Sequence, residues 1–229
     1  QDPQTSLNPV FTVGNQLIEA IRTHHSGEDK RSLVRRAVDG LMQVRVAAPE
    51  RRVQDYPHQI SGGMKQRVVG AIAMACEPQI IIADEPTTSL DVTIQAQYLR
   101  LLREIQEETN LSLIFITHDF GIVAKMCDRV VVMYAGRHVE SGPVREIFNH
   151  PSHPYTQALL RSVPSMDEDV ERLYSIEGQP PALWDLPEGC RFAPRCAHVH
   201  DRCRQYPPSF TVGKNGATHT AACWLLESA

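Results

Sequence analysis

Long apolar runs are missing from this sequence. No stretch approaches the ~18 to 20 consecutive apolar residues of a membrane-spanning helix, the longest candidates being short segments at 79–83 and 111–116. A dominant charge is missing too. Lysine plus arginine at 23 against aspartate plus glutamate at 27 leaves a net charge of -4, which excludes the global basic field that would mark nucleic acid as the main partner. There is no internal repeat, no low-complexity tract and no export signal. The sequence opens at Gln1 without methionine and reads as an internal segment. What is present is ordinary globular composition, with 42% hydrophobic and 22% charged residues over 229 positions. That excludes a disordered chain and allows one large domain, or a medium domain with a small appendage.

Six cysteines without an export signal point to a reducing compartment, where thiols are free or bind metal more often than they pair. Cys76 and Cys127 stand alone among apolar residues and read as small buried hydrophobes, whereas Cys190, Cys196, Cys203 and Cys223 crowd the carboxyl-terminal stretch.

Three regions are expected, at 1–75, 76–162 and 163–229. The first is helical: Leu33, Val34, Ala37, Val38, Leu41 and Met42 recur on one helix face, with Asp29 or Ser32 as the cap, and a second helix starts at Ser61. The second region alternates strand and helix. Ile80 to Ala83 fits a buried parallel strand, Ile94, Tyr98, Leu101, Leu102 and Ile105 form a helical stripe, and Ser112 to Ile116 is a second strand. Asp119 to Met126 is helical, Val130 to Tyr134 and His138 to Ser141 pair across Ala135-Gly136, and Val144 to Asn149 is a short helix. This order predicts an α/β fold with helices on a mainly parallel sheet and an antiparallel ribbon at one side. Pro154 to Ser162 closes the second region as a helix, and the third opens on an irregular linker at 164–187; ten of the sixteen prolines fall at or after Pro143.

Asp84 and Glu85 stand at the carboxyl end of the first strand, where open α/β sheets keep their ligand sites. Asp84 suits Mg²⁺ and Glu85 suits orienting and deprotonating a water, the division of labour in phosphoryl transfer; an acidic turn in solvent is the plainer reading. Ser61-Gly62-Gly63 offers backbone N–H groups, a hydroxyl and a helix dipole to a phosphate, with a simple helix cap as its plainer reading.

The ordered set changes that balance. Gln1 comes first, then Ile60-Ser61-Gly62-Gly63-Met64-Lys65-Gln66-Arg67, Ile80 to Asp84 with Glu85-Pro86-Thr87-Thr88, Ser89-Leu90-Asp91 and Thr117-His118-Asp119. It resembles the nucleotide-binding subunit of an ABC transporter, with Q-loop, signature, Walker B, D-loop and switch histidine in order. The segments Gln1-Asp2-Pro3, Ser6-Leu7-Asn8-Pro9, Tyr56-Pro57-His58-Gln59, Pro154-Tyr155-Thr156 and the cysteine tail narrow it to the dipeptide and oligopeptide permease ATPases. The resemblance implies a partial P-loop ATPase core with a helical subdomain and a small, loop-rich, cysteine-containing carboxyl-terminal region.

It also implies ATP and Mg²⁺ as cofactors and a second ATPase subunit as partner, by family habit a different one. Transmembrane permease subunits, and indirectly an extracytoplasmic solute-binding protein, complete the assembly at the cytoplasmic face of the bacterial inner membrane. Carried over by position, Gln1 senses the γ-phosphate and Mg²⁺, Asp84 holds Mg²⁺, Glu85 is the general base and His118 contacts the γ-phosphate. Asp91 crosses the dimer interface, and Ser61, Gly62 and Gly63 reach the partner's ATP. Ile60 and Met64 depart from the usual leucine and glutamine of the signature, with little loss expected because backbone N–H groups do the binding. A larger departure is that no G-x-x-x-x-G-K-[ST] occurs. The chain alone is therefore expected to be inactive, or to act as a module lending only its signature half to a partner. Chromosome-structure and DNA-repair ATPases share the signature logic but need a long coiled coil, and no such heptad run occurs.

Cys190, Cys196, Cys203 and Cys223 are separated by five, six and nineteen residues, unlike the closely paired cysteines of structural zinc sites. Four thiolates could ligate an iron–sulfur cluster, and some of the resembling ATPases carry [4Fe–4S]; Zn²⁺ and unligated thiols are the other readings. His198, His200 and His219 nearby read as surface residues.

Overall fold

The structure, a computed structural model, describes residues 2–25, 27–163, 174–212 and 218–227. Gln1 and the first part of the expected linker lie outside the described residues. The chain divides into two compact units, Gln1–His118 and Asp119–Ala229.

In the first unit, helices α1 (Pro3–Ser6), α2 (Val13–His24), α3 (Lys30–Gln43), α4 (Pro49–Arg52) and α5 (Gly62–Met74) precede strand β1 (Ile80–Asp84), helix α6 (Val92–Thr109) and strand β2 (Ser112–Ile116). Their starts follow from short polar side chains that accept otherwise orphaned backbone N–H groups: Thr12 caps α2, Asp29 caps α3, Ser61 caps α5 and Asp91 caps α6. Helices α2, α3 and α5 pack together through Leu17 and Ile21, Leu33, Ala37 and Leu41, and Val68 and Ala71, all buried. The α3 stripe is narrower than its periodicity suggested. Val34 and Met42 face solvent, because only the i, i+4 row of positions 33, 37 and 41 meets its neighbours.

β1 and β2 pair in parallel, Ile80 opposite Ser112 through to Asp84 opposite Ile116. The expectation of a buried strand is corrected. Ile80, Ile82, Ile114 and Ile116 share one face of this two-stranded sheet and are 57%, 64%, 49% and 50% exposed. Ile81, Ala83 and Leu113 turn the other way and line a cavity with Tyr98, Leu101 and Leu102.

The second unit contains α7 (Phe120–Met126), β3 (Arg129–Tyr134), β4 (Arg137–Pro143), α8 (Val144–Asn149), α9 (Pro154–Arg161), β5 (Phe210–Thr211) and β6 (Thr220–Ala221). β3 and β4 form the expected hairpin, turning at Ala135 and Gly136, whose φ angles of 45° and 79° give the left-handed turn that matches strand twist. This ribbon does not extend the parallel sheet. It belongs to a separate antiparallel sheet in the order β3-β4-β6-β5, so the tail contributes two of its four strands. Val132, Tyr134, Val139, Ile147 and Phe192 make the core of the unit. Phe192 enters it edge-on to Tyr134, with ring centroids 5.2 Å apart, so an aromatic from the proline-rich tail is a core residue.

Candidate functional site

Glu85 follows the last residue of β1 and leaves the strand with φ 44°, a conformation uncommon for a residue with a side chain. Its backbone N–H donates to the carbonyl of Ile116 at 2.8 Å, tying the turn to the end of β2. The carboxylate is occupied on both oxygens: His118 Nδ1 lies 2.8 Å from Oε1, and the Thr88 hydroxyl donates to Oε2 at 3.0 Å. The His118 hydrogen bond, followed by that of Thr88, holds the carboxyl below the usual glutamate range. An ionised carboxylate and an imidazole, from positions 33 apart, thus meet at the carboxyl end of a parallel pair, an arrangement able to orient and deprotonate a water. Asp84 is half-buried directly before it. Thr88 was not singled out from sequence; a hydroxyl three residues beyond a turn carboxylate was its signal.

Ser61 and Asp91 act here as caps. Ser61 Oγ accepts from Met64 N at 3.4 Å, and Asp91 Oδ1 accepts from Thr93 N and Ile94 N at 3.0 Å each. The first turns of α5 and α6 touch, since a Cβ built on Gly63 would stand 2.8 Å from Ile94 Cγ2. Nothing lies within 4 Å of the corresponding position at Gly62, leaving open backbone at a helix start. Two adjacent helix N-termini present a positive dipole end to an anion.

In the second unit Cys190, Cys196, Cys203 and Cys223 line one cavity, and all six cysteines of the chain are free thiols. Cys190 N donates to Cys203 O at 2.9 Å, an approach that requires glycine beforehand: a Cβ on Gly189 would fall 2.1 Å from that same oxygen. Burial raises the Cys190 and Cys196 thiols. It takes Cys223 to about 11, reinforced by repulsion from the other three. Among the described residues no three His, Cys, Asp or Glu side chains are placed to hold a single metal ion. Cys76 and Cys127 are half-buried rather than core residues; Cys76 Sγ donates to Ala20 O at 3.7 Å.

His219 is the histidine misplaced by sequence reading. It is 2% exposed, and its Nε2 lies 2.7 Å from Oε1 of Glu140, itself 2% exposed. Glu140 also accepts from Ser152 N at 2.7 Å and His153 N at 3.0 Å. Burial lowers the His153 imidazole to about 4, partly opposed by the charge of Glu140. No short motif announces this network, whose Glu140–His219 pair is 79 positions apart. His198 and His200 are exposed.

A strand-end carboxylate beside a histidine, with two helix N-termini in the same unit, is the equipment of a nucleotide-handling cassette, and solved structures similar to this one are of that class. The dimeric post-hydrolysis state of the ATP-binding cassette MJ0796 bound to ADP and Pi matches with a TM-score of 0.54 and 28% identity, over 61% of this chain and 59% of that one. cbiO1 from Clostridium perfringens, part of the ABC transporter complex cbiONQ, matches with a TM-score of 0.56 and 30% identity, over 65% and 57%. The chain has the α/β fold of a partial ABC ATPase cassette. The ABC transporter family model matches residues 1–88, and that of the oligopeptide/dipeptide transporter C-terminal region matches 139–203. The dipeptide transport ATP-binding protein DppD of Escherichia coli (strain K12) is 51% identical over 94% of this chain and 66% of its own length. The oligopeptide transport ATP-binding protein AppD of Bacillus subtilis (strain 168) is 46% identical over 99% and 68%. The chain belongs to this family of peptide-transporter ATP-binding subunits, and it spans about two thirds of the length of these curated relatives.

Proposed function

We propose that this chain is part of the ATP-binding subunit of an ABC importer, coupling ATP hydrolysis to uptake of dipeptides, oligopeptides or related solutes such as nickel complexes. Its place is the cytoplasmic face of the bacterial inner membrane, peripheral, beside a second and different ATPase subunit and the transmembrane permease subunits. A solute-binding protein takes part only indirectly.

The observation that carries this reading is the Glu85–His118 pair at the end of β1, in a chain 51% identical to a dipeptide transport ATP-binding protein. ATP and Mg²⁺ fit the residues present: Asp84 to hold the metal, open backbone at Gly62, and paired helix N-termini toward phosphate. When bound they supply the phosphoryl group and its charge neutralisation. Glu85, held by His118, would accept the proton of an attacking water, and His118 would contact the γ-phosphate. Ser61, Gly62 and Gly63 would serve the partner's nucleotide, Asp91 the dimer interface, and Gln1 would report occupancy.

In the assembled transporter, Glu85→Gln keeps the shape of the site and removes the proton acceptor. Hydrolysis should fall by ~10² to 10⁴ while ATP still closes the dimer. Because the sequence contains no G-x-x-x-x-G-K-[ST], the 229-residue chain alone should release no phosphate. The open backbone at Gly62 also suits a second reading, a module lending only its signature half to a partner ATPase. Turnover indifferent to Glu85→Gln but lost on Gly62→Val would select it.

The four cysteines fit a [4Fe–4S] cluster better than Zn²⁺. They converge on one cavity without forming disulfides, and their sequence separations of five, six and nineteen residues depart from the closely paired ligands of structural zinc. Each of Cys190, Cys196, Cys203 and Cys223 would supply one thiolate. The bound cluster supplies a crosslink and a one-electron couple; holding the tail against a partner subunit is its role in this reading. Anaerobic purification should yield iron and acid-labile sulfide in equal amounts, both lost in Cys196→Ser.

A further inference from the structure

One buried polar atom beside the cysteines has no partner. His153 is 1% exposed and lines the cavity on which the four cysteines converge. It caps α9, its Nδ1 accepting from Tyr155 N at 3.0 Å. A ring nitrogen that accepts carries no hydrogen, so in the neutral imidazole the hydrogen sits on Nε2. That Nε2 is buried and makes no hydrogen bond. The ring is held in place by the cap, by the backbone bond from His153 N to Glu140 and by the Phe192 ring, with centroids 6.1 Å apart.

A buried donor without an acceptor is costly, and native folds seldom keep one. The acceptors it could meet are few. The cavity is otherwise walled by side chains such as Pro154, Phe192, Pro207 and Leu225, and the indole N–H of Trp224 is itself a donor, already given to Gln205 O. Among the lining residues the side chains able to accept are the cysteines and the exposed His198. A neutral thiol accepts weakly, whereas a metal-bound thiolate or sulfide accepts with charge assistance.

We propose that the His153 Nε2–H donates a hydrogen bond to an anionic sulfur of the group held by Cys190, Cys196, Cys203 and Cys223, and that it raises the reduction potential of that group. The inference rests on the cluster reading given above. A donor aimed at sulfur stabilises the more negative, reduced state more than the oxidised one, which is how hydrogen bonds to sulfur tune such couples. His153 would thus be a positioning and tuning residue, and Glu140 would act through it by fixing its backbone.

The test is an anaerobic redox titration of the cluster in the 229-residue chain and two variants. In His153→Asn the side-chain oxygen still caps α9 but the amide stops short of the cavity; in His153→Gln the amide nitrogen reaches the place of Nε2. The Asn variant should keep iron and sulfide while its oxidised-to-reduced ratio at fixed potential rises about tenfold, a midpoint about 59 mV lower for one electron. The Gln variant should recover most of that shift. An unchanged or raised midpoint in the Asn variant, with the cluster intact, would overturn the inference and leave the cluster standing. Loss of the cluster from the Asn variant alone supports the donor; loss from both variants counts against it, since Gln restores the donor. A wild-type chain with zinc or no metal, and no sulfide, would refute the cluster reading and take the inference with it.

Discussion

His219→Leu replaces the imidazole with an apolar side chain and strips one of three donors from a carboxylate with no exposed side-chain surface. Glu140 keeps the N–H groups of Ser152 and His153 at 2.7 and 3.0 Å but loses the 2.7 Å partner. A hydrogen bond to a charged group is worth ~1.5 to 3 kcal/mol. Breaking a buried pair by removing one partner costs ~3 to 5 kcal/mol. The ranges meet at about 3 kcal/mol, because two donors remain. At about 4 °C per kcal/mol for a unit of roughly 110 residues, the second unit should melt about 12 °C lower. The loss should also be local. β6 pairs with β4 through Ala221 opposite Glu140 and Thr220 opposite Ser141, and Ala222 N donates to Val139 O at 2.8 Å. Hydrogen exchange should therefore accelerate first at Ala221 and Ala222, before the β3–β4 ladder. A double-mutant cycle with Glu140→Met should give a coupling of at least ~1.5 kcal/mol, well above the ~0.5 kcal/mol scatter of independent sites. A destabilisation under ~0.5 kcal/mol, or additivity in the cycle, would refute the view that His219 holds a buried charge.

Gly189→Ala places a Cβ against the backbone of Cys203 and Arg204; overpacking plus the lost Cys190–Cys203 bond should cost ~2 to 4 kcal/mol, seen as a lower melting temperature together with reduced iron retention. Tyr98 is buried and hydrogen-bonded by Gln66, and burial raises its phenol above the ordinary value of 10.0. Its contribution to stability is whole below pH about 10 and is lost as pH climbs toward the folded-state value, because the unfolded chain releases the proton first. Tyr98→Phe should flatten this alkaline limb in denaturant titrations, and an identical limb in both proteins would refute the assignment.

Local signals carried much of this fold. Ser112 to Ile116 is a strand with the expected bounds, because five residues with an apolar run between turn signals leave few alternatives. Ser61 caps the helix expected to start there, and Asp29 rather than Ser32 caps α3, since a short polar side chain before an apolar period is a one-dimensional signal. What failed to show was which face a neighbour covers. Ile80 and Ile82 are as apolar as any core strand, yet their exposure depends on packing that periodicity does not encode. The tail strands Phe210–Thr211 and Thr220–Ala221 are too short to have a period, so their union with β4, and with it the burial of His219, was invisible. At the candidate site, Glu85 and His118 were each marked by a motif at a strand end, whereas the hydrogen bond between them depends on the pairing of β1 with β2, which no motif states. The Glu140, His153 and His219 network had no such marker, since an isolated glutamate in a strand looks like a solvent residue until its partner arrives from far along the chain.

The open isoleucine face of the β1–β2 pair has a consequence for how this protein behaves in a tube. Parallel strands are ordinarily sheltered on both faces, and each strand of a two-stranded sheet keeps one row of unpaired backbone donors and acceptors, a template for any extended chain nearby. With four isoleucines about half or more exposed beside those rows, and a net charge of only -4 to hold copies apart, the 229-residue chain should self-associate as its concentration rises, which light scattering would check. The ceiling on its colloidal stability is therefore written in ten residues of sheet, and salt, by screening the modest charge, lowers that ceiling further.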